Sequence, residues 1–430
     1  MACSFRRMLI MVEVKLKYGE ASLSIDIPDK NLIGVINPKF VNGVENIEKE
    51  ILRAILNPIK APTLNKIVKP GDKVAIVVDD HTRPIKSKII VEPLLDYLNK
   101  IGIRDEDVTI IIGHGSHRKI RLDEAENILG KEILERVNWT PHDASSEDLV
   151  YVGETSYKTK VYINKVFYDA DVKILTGDVC LHYFAGYGGG RKSVLPAISG
   201  IETISHNHAM LTHPKAITGN LDGNPIHLDM TEAARLAKPD FIVNVVMNHK
   251  KEVVRAFAGD LEEAFMQGVK LVDQIYKVKV DKQADIVLVS AGGYPSDIDL
   301  YQAYKAIDSA LRVVKPGGVL VVAAECRDGH GHKVFYEWMK KYQTIEDMEK
   351  QIKTNFKLGG HKAYYILKAR QKADIILISK MNPKEVKNIF KLEPAKNLDD
   401  ALEMAFAKKG KNAKIFIMPE AAKVLPELST

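Results

Sequence analysis

The sequence predicts an α/β protein of two domains with largely parallel, Rossmann-like sheets. Short runs of β-branched residues recur along the 430 residues, and helical patterns lie between them. This alternation is typical of parallel sheets, because a crossover helix must carry the chain back between neighbouring parallel strands. The predicted strands are Val74–Val78, Val108–Ile112, Lys173–Leu175, Phe241–Val246, Ile286–Ser290, Val319–Ala323, Ile375–Ile378 and Ile415–Met418.

A domain boundary is expected near Tyr276–Gln283. There a lysine-rich stretch separates the helical pattern Leu261–Ile275 from the next predicted strand. We therefore expect an N-terminal domain of residues 1–278 and a C-terminal domain of residues 279–411. Residues 412–430 contain one more strand, and their return to the first domain is left open. The opening Gln283–Ser290 is closely repeated at Lys372–Ser379, which indicates a local duplication in the second domain.

Composition excludes several classes of protein. The 62 basic and 56 acidic residues give a net charge of +6 without long runs of like charge, so we expect no nucleic-acid partner. No apolar run approaches the roughly 20 residues needed to span a bilayer, so we expect no membrane association. Cys3, Cys180 and Cys326 are too widely spaced for a disulfide framework or a cysteine zinc site, which favours a cytoplasmic protein.

The first candidate site follows the strand Val74–Val78 and reads Asp79-Asp-His-Thr-Arg-Pro84. Pro84 biases the residue before it toward extended backbone, so Asp80 and Arg83 are expected in a strand-exit loop. In parallel α/β sheets ligands bind beyond the carboxyl ends of the strands. A helix-capping aspartate beside a surface arginine remains the alternative for this motif by itself.

The second candidate site, Gly113-His-Gly-Ser-His-Arg118, also follows a predicted strand. Its glycines allow tight turns and close approach of the backbone to a ligand. His114 and His117 are available for acid–base chemistry, because histidine titrates near neutral pH. Histidines that only pack or cap are an equally open alternative.

The third and most specific motif runs from Cys180 to Ser193 and contains Gly186-Tyr-Gly-Gly-Gly-Arg-Lys-Ser193. A nucleotide-triphosphate loop is disfavoured, because Arg191 stands where that motif requires glycine. The glycine loop instead delivers Lys192 to a site, with His182 ten residues before it. Such a lysine can clamp a phosphate, or act as a nucleophile when its pKa is lowered.

Two further motifs are weaker. His206 and His208 point to different faces of a predicted helix, so at most one of them is expected to be a metal ligand. In the second domain Gln302 and Lys305 are three residues apart and share a helix face. An amide and a positive charge together suit a carboxylate.

Together these motifs resemble the nickel-pincer lactate racemase family. Asp79–Pro84, Gly115–Arg118, the loop from His182 to Lys192, His208 and Leu300-Tyr-Gln-Ala-Tyr-Lys305 occur in the family's order. Gly359-Gly-His-Lys-Ala363 is also similar to the family. Each motif alone is weak, and their recurrence in sequence makes the resemblance specific.

The resemblance implies a cofactor, the nickel-pincer nucleotide (nickel pyridinium-3,5-bisthiocarboxylic acid mononucleotide), covalently attached to Lys192. It also implies that His208 binds the metal and that Asp80 and Arg83 position cofactor and substrate. Imidazole is a suitable nickel ligand. Proteins that make the cofactor are then expected partners, and a homo-oligomer is left open.

The implied reaction inverts C2 of a small 2-hydroxy acid by proton-coupled hydride transfer to the cofactor. By the same resemblance His117 and His182 are the catalytic acid and base, one for each enantiomer. The residues expected to bind substrate are Arg83, Tyr301, Gln302 and Lys305, in a cleft between the domains. The family match leaves His114 and His206 without a role.

Alternatives remain. One is a metal-independent isomerase or lyase that deprotonates C2, and the other is a non-catalytic cofactor-binding protein. Lactate-converting members of the family place a tryptophan in the region corresponding to Phe356–Arg370, whereas the only tryptophans here are Trp139 and Trp338. We therefore expect a substrate larger or more polar than lactate, with His361 and Lys362 as added donors. The alternative is that Tyr364 or Tyr365 fills the same space.

Overall fold

The computed structural model describes residues 10–83 and 85–429, which form two compact units. The central unit is Phe40–Ile275. The terminal unit combines the chain up to Lys39 with the chain from Tyr276 onward. Each unit is built around one six-stranded sheet.

The strands are numbered in chain order. They are β1 Met11–Tyr18, β2 Ala21–Pro28, β3 Leu32–Val35, β4 Val74–Asp79, β5 Val108–Gly113, β6 Asn138–Pro141, β7 Val150–Glu154, β8 Lys160–Ile163, β9 Val172–Asp178, β10 Leu181–His182, β11 Gly186–Tyr187, β12 Phe241–Met247, β13 Val253–Gly259, β14 Lys277–Val280, β15 Ala284–Ser290, β16 Val314–Ala323, β17 Ala373–Ile378, β18 Glu393–Ala395, β19 Ile415–Met418 and β20 Leu425–Leu428.

The α-helices are numbered in the same way. They are α1 Ile47–Leu56, α2 Leu64–Ile67, α3 Lys88–Lys100, α4 Leu122–Leu129, α5 Lys131–Arg136, α6 Lys165–Asp169, α7 Ile201–Ala209, α8 Pro225–Ala237, α9 Glu263–Tyr276, α10 Leu300–Ala310, α11 Lys333–Lys341, α12 Ile345–Thr354, α13 Gly360–Lys372, α14 Pro383–Asn388 and α15 Leu398–Lys409.

The sheet of the central unit has the strand order β13-β12-β9-β4-β5-β6. All neighbours are parallel except β13, which pairs antiparallel with β12. Its inner strands are largely apolar, as expected where both faces of a parallel sheet are covered, and Ile76, Ile110, Ile174 and Val243 are fully buried in one core. The four strands predicted in this part of the chain are confirmed. Their carboxyl ends meet at one edge of the sheet.

The sheet of the terminal unit has the order β18-β17-β16-β15-β19-β3 and is parallel throughout. The four strands predicted in this half of the chain are confirmed. The duplicated sequence opening forms β15 and β17, which flank β16 on its two sides. The predicted α/β class with largely parallel sheets is therefore correct.

The structure divides the chain at Ile275, close to the predicted boundary, but it places the described residues before Phe40 in the other unit. The hairpin β1–β2 buries Leu16 and Ile27 completely against terminal-unit residues such as Ile286, and β3 pairs with β19. The described residues before Phe40 therefore do not belong to the first domain. Residues 412–430 do not return to it either, because β19 also pairs with β15, and β20 pairs with β14. Both ends of the chain are held in the terminal unit by burial of apolar side chains and by strand pairing with the rest of that unit.

Two further observations concern membrane-spanning helices and cysteines. Over residues 10–83 and 85–429, every helix is too short or too polar to cross a bilayer. Cys180 and Cys326 are free thiols. Cys3 lies outside the described residues.

The hairpin assignment predicts that Ile27→Ala destabilises the terminal unit by about 2–5 kcal/mol, because a fully buried side chain leaves a cavity. Trp338 lies in the terminal unit and Trp139 in the central unit, so each can report one unit. Urea unfolding would be followed by Trp338 fluorescence in a Trp139→Phe background and by Trp139 fluorescence in a Trp338→Phe background. Ser24→Ala, at an exposed position of β2, is the control. A loss reported by Trp139 alone would contradict the assignment.

Candidate active site

The candidate site lies at the carboxyl edge of the central sheet, where the loops after β4, β5 and β9 meet. These loops carry three of the four candidate motifs of the central unit. A small cavity of about 30 Å³ opens between them. It is lined by Asp79, Asp80, Arg83, Gly113, His114, Gly115, His117, Asp178, Gly189, Lys192, Ser193, Pro196 and Ala197.

Asp80 orients His117 across the ends of the neighbouring strands β4 and β5. Its Oδ2 lies 2.6 Å from His117 Nδ1, and its Oδ1 accepts a hydrogen bond of 2.6 Å from the Thr82 hydroxyl. Burial raises the pKa of Asp80, but the hydrogen bond and charge of His117, with the Thr82 hydrogen bond, hold that pKa below its usual value. The proton of neutral His117 is therefore on Nδ1, and its Nε2 carries the lone pair of a base.

Arg83 lies among acidic groups at the same edge. Its pKa is raised despite burial, because the charges of Asp79, Asp178 and Asp80 and the Cys180 thiol favour the guanidinium cation. Burial and the neighbouring Asp178 raise the pKa of Asp79 to about 7. Sequence analysis missed Asp178. The sequence could have pointed to it, because Asp178 is an acidic residue at the carboxyl end of the predicted strand β9.

The glycine loop buries Lys192 by close backbone packing. Gly189 and Gly190 have φ angles of +82° and +55°. A Cβ would lie 2.9 Å from Asp178 O at the first position and 2.9 Å from the Phe265 ring at the second. Only glycine meets both requirements. A 3₁₀ turn over Gly190–Ser193 then places Lys192 with 5% of its surface exposed.

His182 and Lys192 are in direct contact. His182 Nδ1 accepts a hydrogen bond of 3.3 Å from the Ala185 N–H, so the proton of a neutral imidazole must be on Nε2. His182 Nε2 lies 3.4 Å from Lys192 Nζ. Burial and the charges of Lys192 and Arg83 hold the pKa of His182 well below its usual value. A neutral His182 can donate to Lys192 only if that amine is uncharged and offers its lone pair.

Phe184 joins His208 to this pair. Its ring lies 4.5 Å from the His182 ring, 5.0 Å from the His208 ring and 5.7 Å from Lys192 Nζ. His208 Nδ1 lies 3.1 Å from Asn207 Oδ1, which places the proton on Nδ1 and the lone pair on Nε2. Burial and the charge of Lys192 lower the pKa of His208 to about 3. A neutral buried imidazole of this kind fits a metal ligand.

The two histidines left without a role have separate surroundings. His114 lines the cavity, and its Nδ1 donates to the backbone O of His117 at 3.1 Å, so it supports the catalytic candidate. His206 donates to Thr159 Oγ1 at 2.8 Å, in a buried network with Asp229. The prediction that His206 and His208 face different environments on one helix is confirmed.

A covalently held metal cofactor requires a nucleophilic side chain for its attachment and at least one side chain that can bind the metal. Within the described ranges, no three His, Cys, Asp or Glu side chains are grouped as a metal cluster. Lys192 and His208 are both buried, and burial lowers the pKa of each below its usual value, which favours the uncharged form and suits a covalent anchor and a single imidazole ligand. The residues present therefore fit such a group.

The predicted substrate motif lies on α10 of the terminal unit. Asp299 caps this helix by accepting from the Gln302 N–H, and Lys305 Nζ donates to Gln302 Oε1 at 3.0 Å. Tyr301 stacks on His332 with the ring centres 5.4 Å apart. Lys305 and Gln302 therefore form a local pair, as their spacing predicted.

The region expected to change the substrate pocket surrounds Tyr301. The His361 ring meets Tyr301 edge-on at 6.1 Å, and Lys362 Nζ lies 5.2 Å from the centre of the Tyr301 ring. Tyr365 stacks instead on Tyr304 at 5.7 Å. Burial and the charge of Lys305 lower the pKa of Lys362 to about 7.

Comparison with known proteins extends these observations. The family of lactate racemase N-terminal domains matches residues 18–219, and the family of lactate racemase C-terminal domains matches residues 278–425. The chain is 34% identical over 425 residues to a lactate racemase of Thermoanaerobacterium thermosaccharolyticum, covering 96% of this chain and 99% of that protein. It is 32% identical over 424 residues to a lactate racemase of Lactiplantibacillus plantarum, covering 96% and 100%.

Solved structures agree with this similarity. The lactate racemase apoprotein from T. thermosaccharolyticum is similar with a TM-score of 0.89 at 34% identity, over 97% of this chain and all of that one. A protein from Thermotoga maritima has a TM-score of 0.66 at 19% identity, over 91% of this chain and 100% of that one. The second similarity concerns the fold alone.

His142 lies beside the site and is locked in its neutral form. It is 1% exposed, its Nε2 donates to Ser199 O at 3.0 Å, and its Nδ1 accepts from the Asn164 amide at 3.3 Å. Burial lowers its pKa from 6.5 to about 4, and the Ser199 hydrogen bond only partly opposes this. The unfolded chain therefore binds a proton in a pH range where the folded chain does not.

We predict that stability falls as pH drops from about 6.5 toward 4, because only the unfolded chain then protonates at His142. At pH 5 protonation of His142 in the unfolded chain should lower the free energy of unfolding by about 2 kcal/mol relative to pH 7.5. Urea unfolding at pH 7.5 and at pH 5 measures the difference in unfolding free energy between the two. In His142→Gln this difference should be smaller by about 2 kcal/mol. His213→Gln, at an exposed position, is the control. An unchanged difference in His142→Gln would refute the assignment.

Proposed function

The chain belongs to the lactate racemase family of isomerases, and on this basis we propose that it inverts C2 of a 2-hydroxy acid with a covalently held nickel-pincer nucleotide. The observation that carries the proposal is the contact of 3.4 Å between half-buried His182 and buried Lys192. A lysine held as a free amine is a nucleophile, whereas a surface lysine is a cation. This chemistry matches a covalent anchor.

In the proposed holoenzyme Lys192 anchors the cofactor and His208 supplies an imidazole ligand to its nickel. When bound, the cofactor supplies a group that accepts hydride from C2 of the substrate and returns it. The glycine turn allows close approach to Lys192, since side chains at Gly189 or Gly190 would clash with neighbouring atoms. Phe184, which contacts His182 and His208, helps to exclude water from this pocket.

The acid–base work is assigned to His117 and His182. The Nε2 lone pair of His117 takes the C2 hydroxyl proton of one enantiomer, and Asp80 stabilises the imidazolium that forms. In the same turnover His182 gives its Nε2 proton to the oxygen of the opposite enantiomer. The reverse reaction exchanges these roles: His182 takes the hydroxyl proton at Nε2 and protonated His117 returns its proton to the oxygen. Two proton-handling groups are needed because inversion proceeds from either face.

Substrate binding is assigned to residues of both units. Arg83 carries a stable positive charge at the catalytic edge and would hold the substrate carboxylate there. By the family resemblance, Tyr301, Gln302 and Lys305 on α10 are also proposed to bind the substrate. Holding the planar 2-oxo intermediate in place while it turns is a positioning role.

We further propose that the substrate is larger or more polar than lactate. His361 and Lys362 flank Tyr301, the aromatic residue of the predicted substrate motif, whereas Tyr365 packs against Tyr304. Polar donors beside Tyr301 favour an additional hydroxyl or anionic group on the substrate. This arrangement favours His361 and Lys362 as added donors to the substrate over the alternative that a tyrosine fills the space of the missing tryptophan.

Covalent attachment is tested by mass spectrometry after co-expression with the proteins that make the cofactor. Lys192→Ala should yield folded protein of unmodified mass, because the nucleophile is gone. His208→Ala is the matched variant: it should keep the organic adduct and lose nickel, measured by elemental analysis. An adduct that persists in Lys192→Ala, or full nickel in His208→Ala, would refute the respective assignment.

The acid–base assignment predicts that His117→Ala and His182→Ala each lower kcat by about 10²–10⁴-fold with the cofactor retained. Racemisation would be followed by polarimetry on enzyme whose adduct mass has been verified. His213→Ala, an exposed histidine of the same unit, should keep its activity. Solvent deuterium at C2 of the product would instead favour C2 deprotonation, because returned hydride keeps the original hydrogen.

Substrate preference is tested by kcat/KM for lactate, malate, glycerate, 2-hydroxybutyrate and phenyllactate. One methylene in an apolar pocket changes discrimination by only about 1–3 kcal/mol, so a polar contact should dominate the ranking. We expect malate or glycerate to exceed lactate. A clear preference for lactate over every larger acid would contradict this part of the proposal.

A further inference from the structure

Directly before His208, helix α7 carries a buried asparagine whose orientation is fixed by helix α8. Asn207 is 0% exposed. Its Nδ2 donates to the backbone O of Ile226 at 3.2 Å and to Asp229 Oδ2 at 2.8 Å. Its Oδ1 lies 3.1 Å from His208 Nδ1. A backbone carbonyl can only accept, so the atom of the side-chain amide that faces Ile226 must be the nitrogen.

This orientation decides which nitrogen of the His208 ring carries the proton. Both N–H bonds of the Asn207 amide point at acceptors, so the amide oxygen is the atom turned toward the ring. An oxygen that can only accept requires a donor, so Nδ1 of neutral His208 carries the proton and Nε2 carries the lone pair. Burial lowers the pKa of His208 to about 3, so the ring is neutral near pH 7.

Asp229 is a fully buried carboxylate that is held from a third segment of the chain. Its Oδ1 accepts from the Thr155 hydroxyl at 2.5 Å, and its Oδ2 accepts from the Thr159 hydroxyl at 2.9 Å. Thr155 Oγ1 itself accepts from the Thr159 N–H at 3.2 Å, which leaves its own proton for the carboxylate. The two threonines flank the turn between β7 and β8. A buried polar network of this kind restricts its members to one arrangement.

We propose that Asp229 and Asn207 are positioning residues that hold His208 as the tautomer with its lone pair on Nε2, the state in which it binds nickel. They act in series, because Asp229 orients the Asn207 amide and the amide oxygen orients the ring. The nitrogen that binds a metal is decided by the hydrogen bond at the other ring nitrogen. The role toward nickel rests on the proposed function of His208, whereas the tautomer requires no cofactor.

One other group can hold the same ring. The backbone carbonyl of Ile204, four residues before His208, hydrogen-bonds the ring and opposes the burial that lowers its pKa. This carbonyl belongs to the backbone of α7, so it remains in every variant of Asn207 or Asp229. The variants therefore measure what these two side chains add to the helix.

The tautomer is measured by NMR in the cofactor-free full chain labelled with ¹⁵N-histidine, because the protonated and lone-pair nitrogens of imidazole have well-separated shifts. His208→Gln identifies the signals of this ring by their loss. In the wild type near neutral pH we expect the proton on Nδ1. Asn207→Leu removes the acceptor, and Asp229→Leu removes the group that orients it. Both variants should lose this preference and place a larger share of the proton on Nε2.

Further variants separate the hydrogen bonds from packing. Asn207→Asp together with Asp229→Asn reverses the central hydrogen bond but keeps an oxygen next to His208, so the proton should stay on Nδ1. His206→Gln removes a ring whose Nδ1 lies 2.8 Å from Thr159 Oγ1, and it should leave the His208 signals unchanged. Asn207→Ser is a smaller change and replaces Asn207→Leu if that variant does not fold.

Nickel retention is the second readout, on protein co-expressed with the proteins that make the cofactor. Intact mass reports the organic adduct, and elemental analysis after exposure to increasing EDTA reports nickel. Loss of the group that hydrogen-bonds a metal-binding histidine lowers metal affinity by about 10–100-fold. We expect a loss of this size in Asn207→Leu and Asp229→Leu with the adduct retained. His206→Gln should retain nickel as the wild type does.

Three results would overturn the proposal. They are a wild-type His208 with its proton on Nε2, an unchanged tautomer in both leucine variants, and unchanged nickel retention in variants whose tautomer has shifted. The second result would assign the proton to the Ile204 carbonyl alone. If co-expressed wild-type protein carries no adduct, the proposed function fails, whereas a shifted tautomer in the cofactor-free variants still supports the positioning of His208 by Asn207 and Asp229.

Discussion

The contact between His182 Nε2 and Lys192 Nζ is the interaction on which the chemistry of the central unit depends. It joins a half-buried imidazole to a buried amine, each of which carries a charge more easily in water. Neither can be protonated without facing a like donor or a nearby cation. The glycine turn that buries Lys192 favours its neutral form, because burial penalises the charged form of an amine.

Charge is segregated around this contact. Acidic groups collect at the ends of β4 and β9, where Asp79 and Asp178 stabilise the charge of Arg83. Asp80 turns away from that group to hold His117. The catalytic edge therefore offers one stable cation for an anionic substrate, one oriented base, and a separate region in which nitrogen bases stay neutral. These properties would suit the proposed proton transfer beside a covalently held cofactor.

The parallel sheet explains why motifs far apart in sequence act together. The loops after β4, β5 and β9 leave the same edge, because parallel strands all end on one side. In the terminal unit the same rule applies, but there the N-terminal hairpin and β3 complete the core and the sheet. A chain whose first residues stabilise the unit formed by its last residues cannot be divided by one cut in sequence.

The sequence by itself determined the fold class, the main strands and the family. The periodic spacing of apolar residues, the glycines at turns and the order of short motifs can all be read directly along the chain. Through the resemblance the sequence also led to the proposal of Asp80, His117, His182, Lys192 and His208 as site residues. Only the tertiary structure decided that β1–β3 belong with the terminal unit, that Asp178 stands beside Asp79, and that Asn207 lies between Asp229 and His208. Burial, strand pairing and electrostatic neighbours arise between segments distant in sequence, so no local pattern records them.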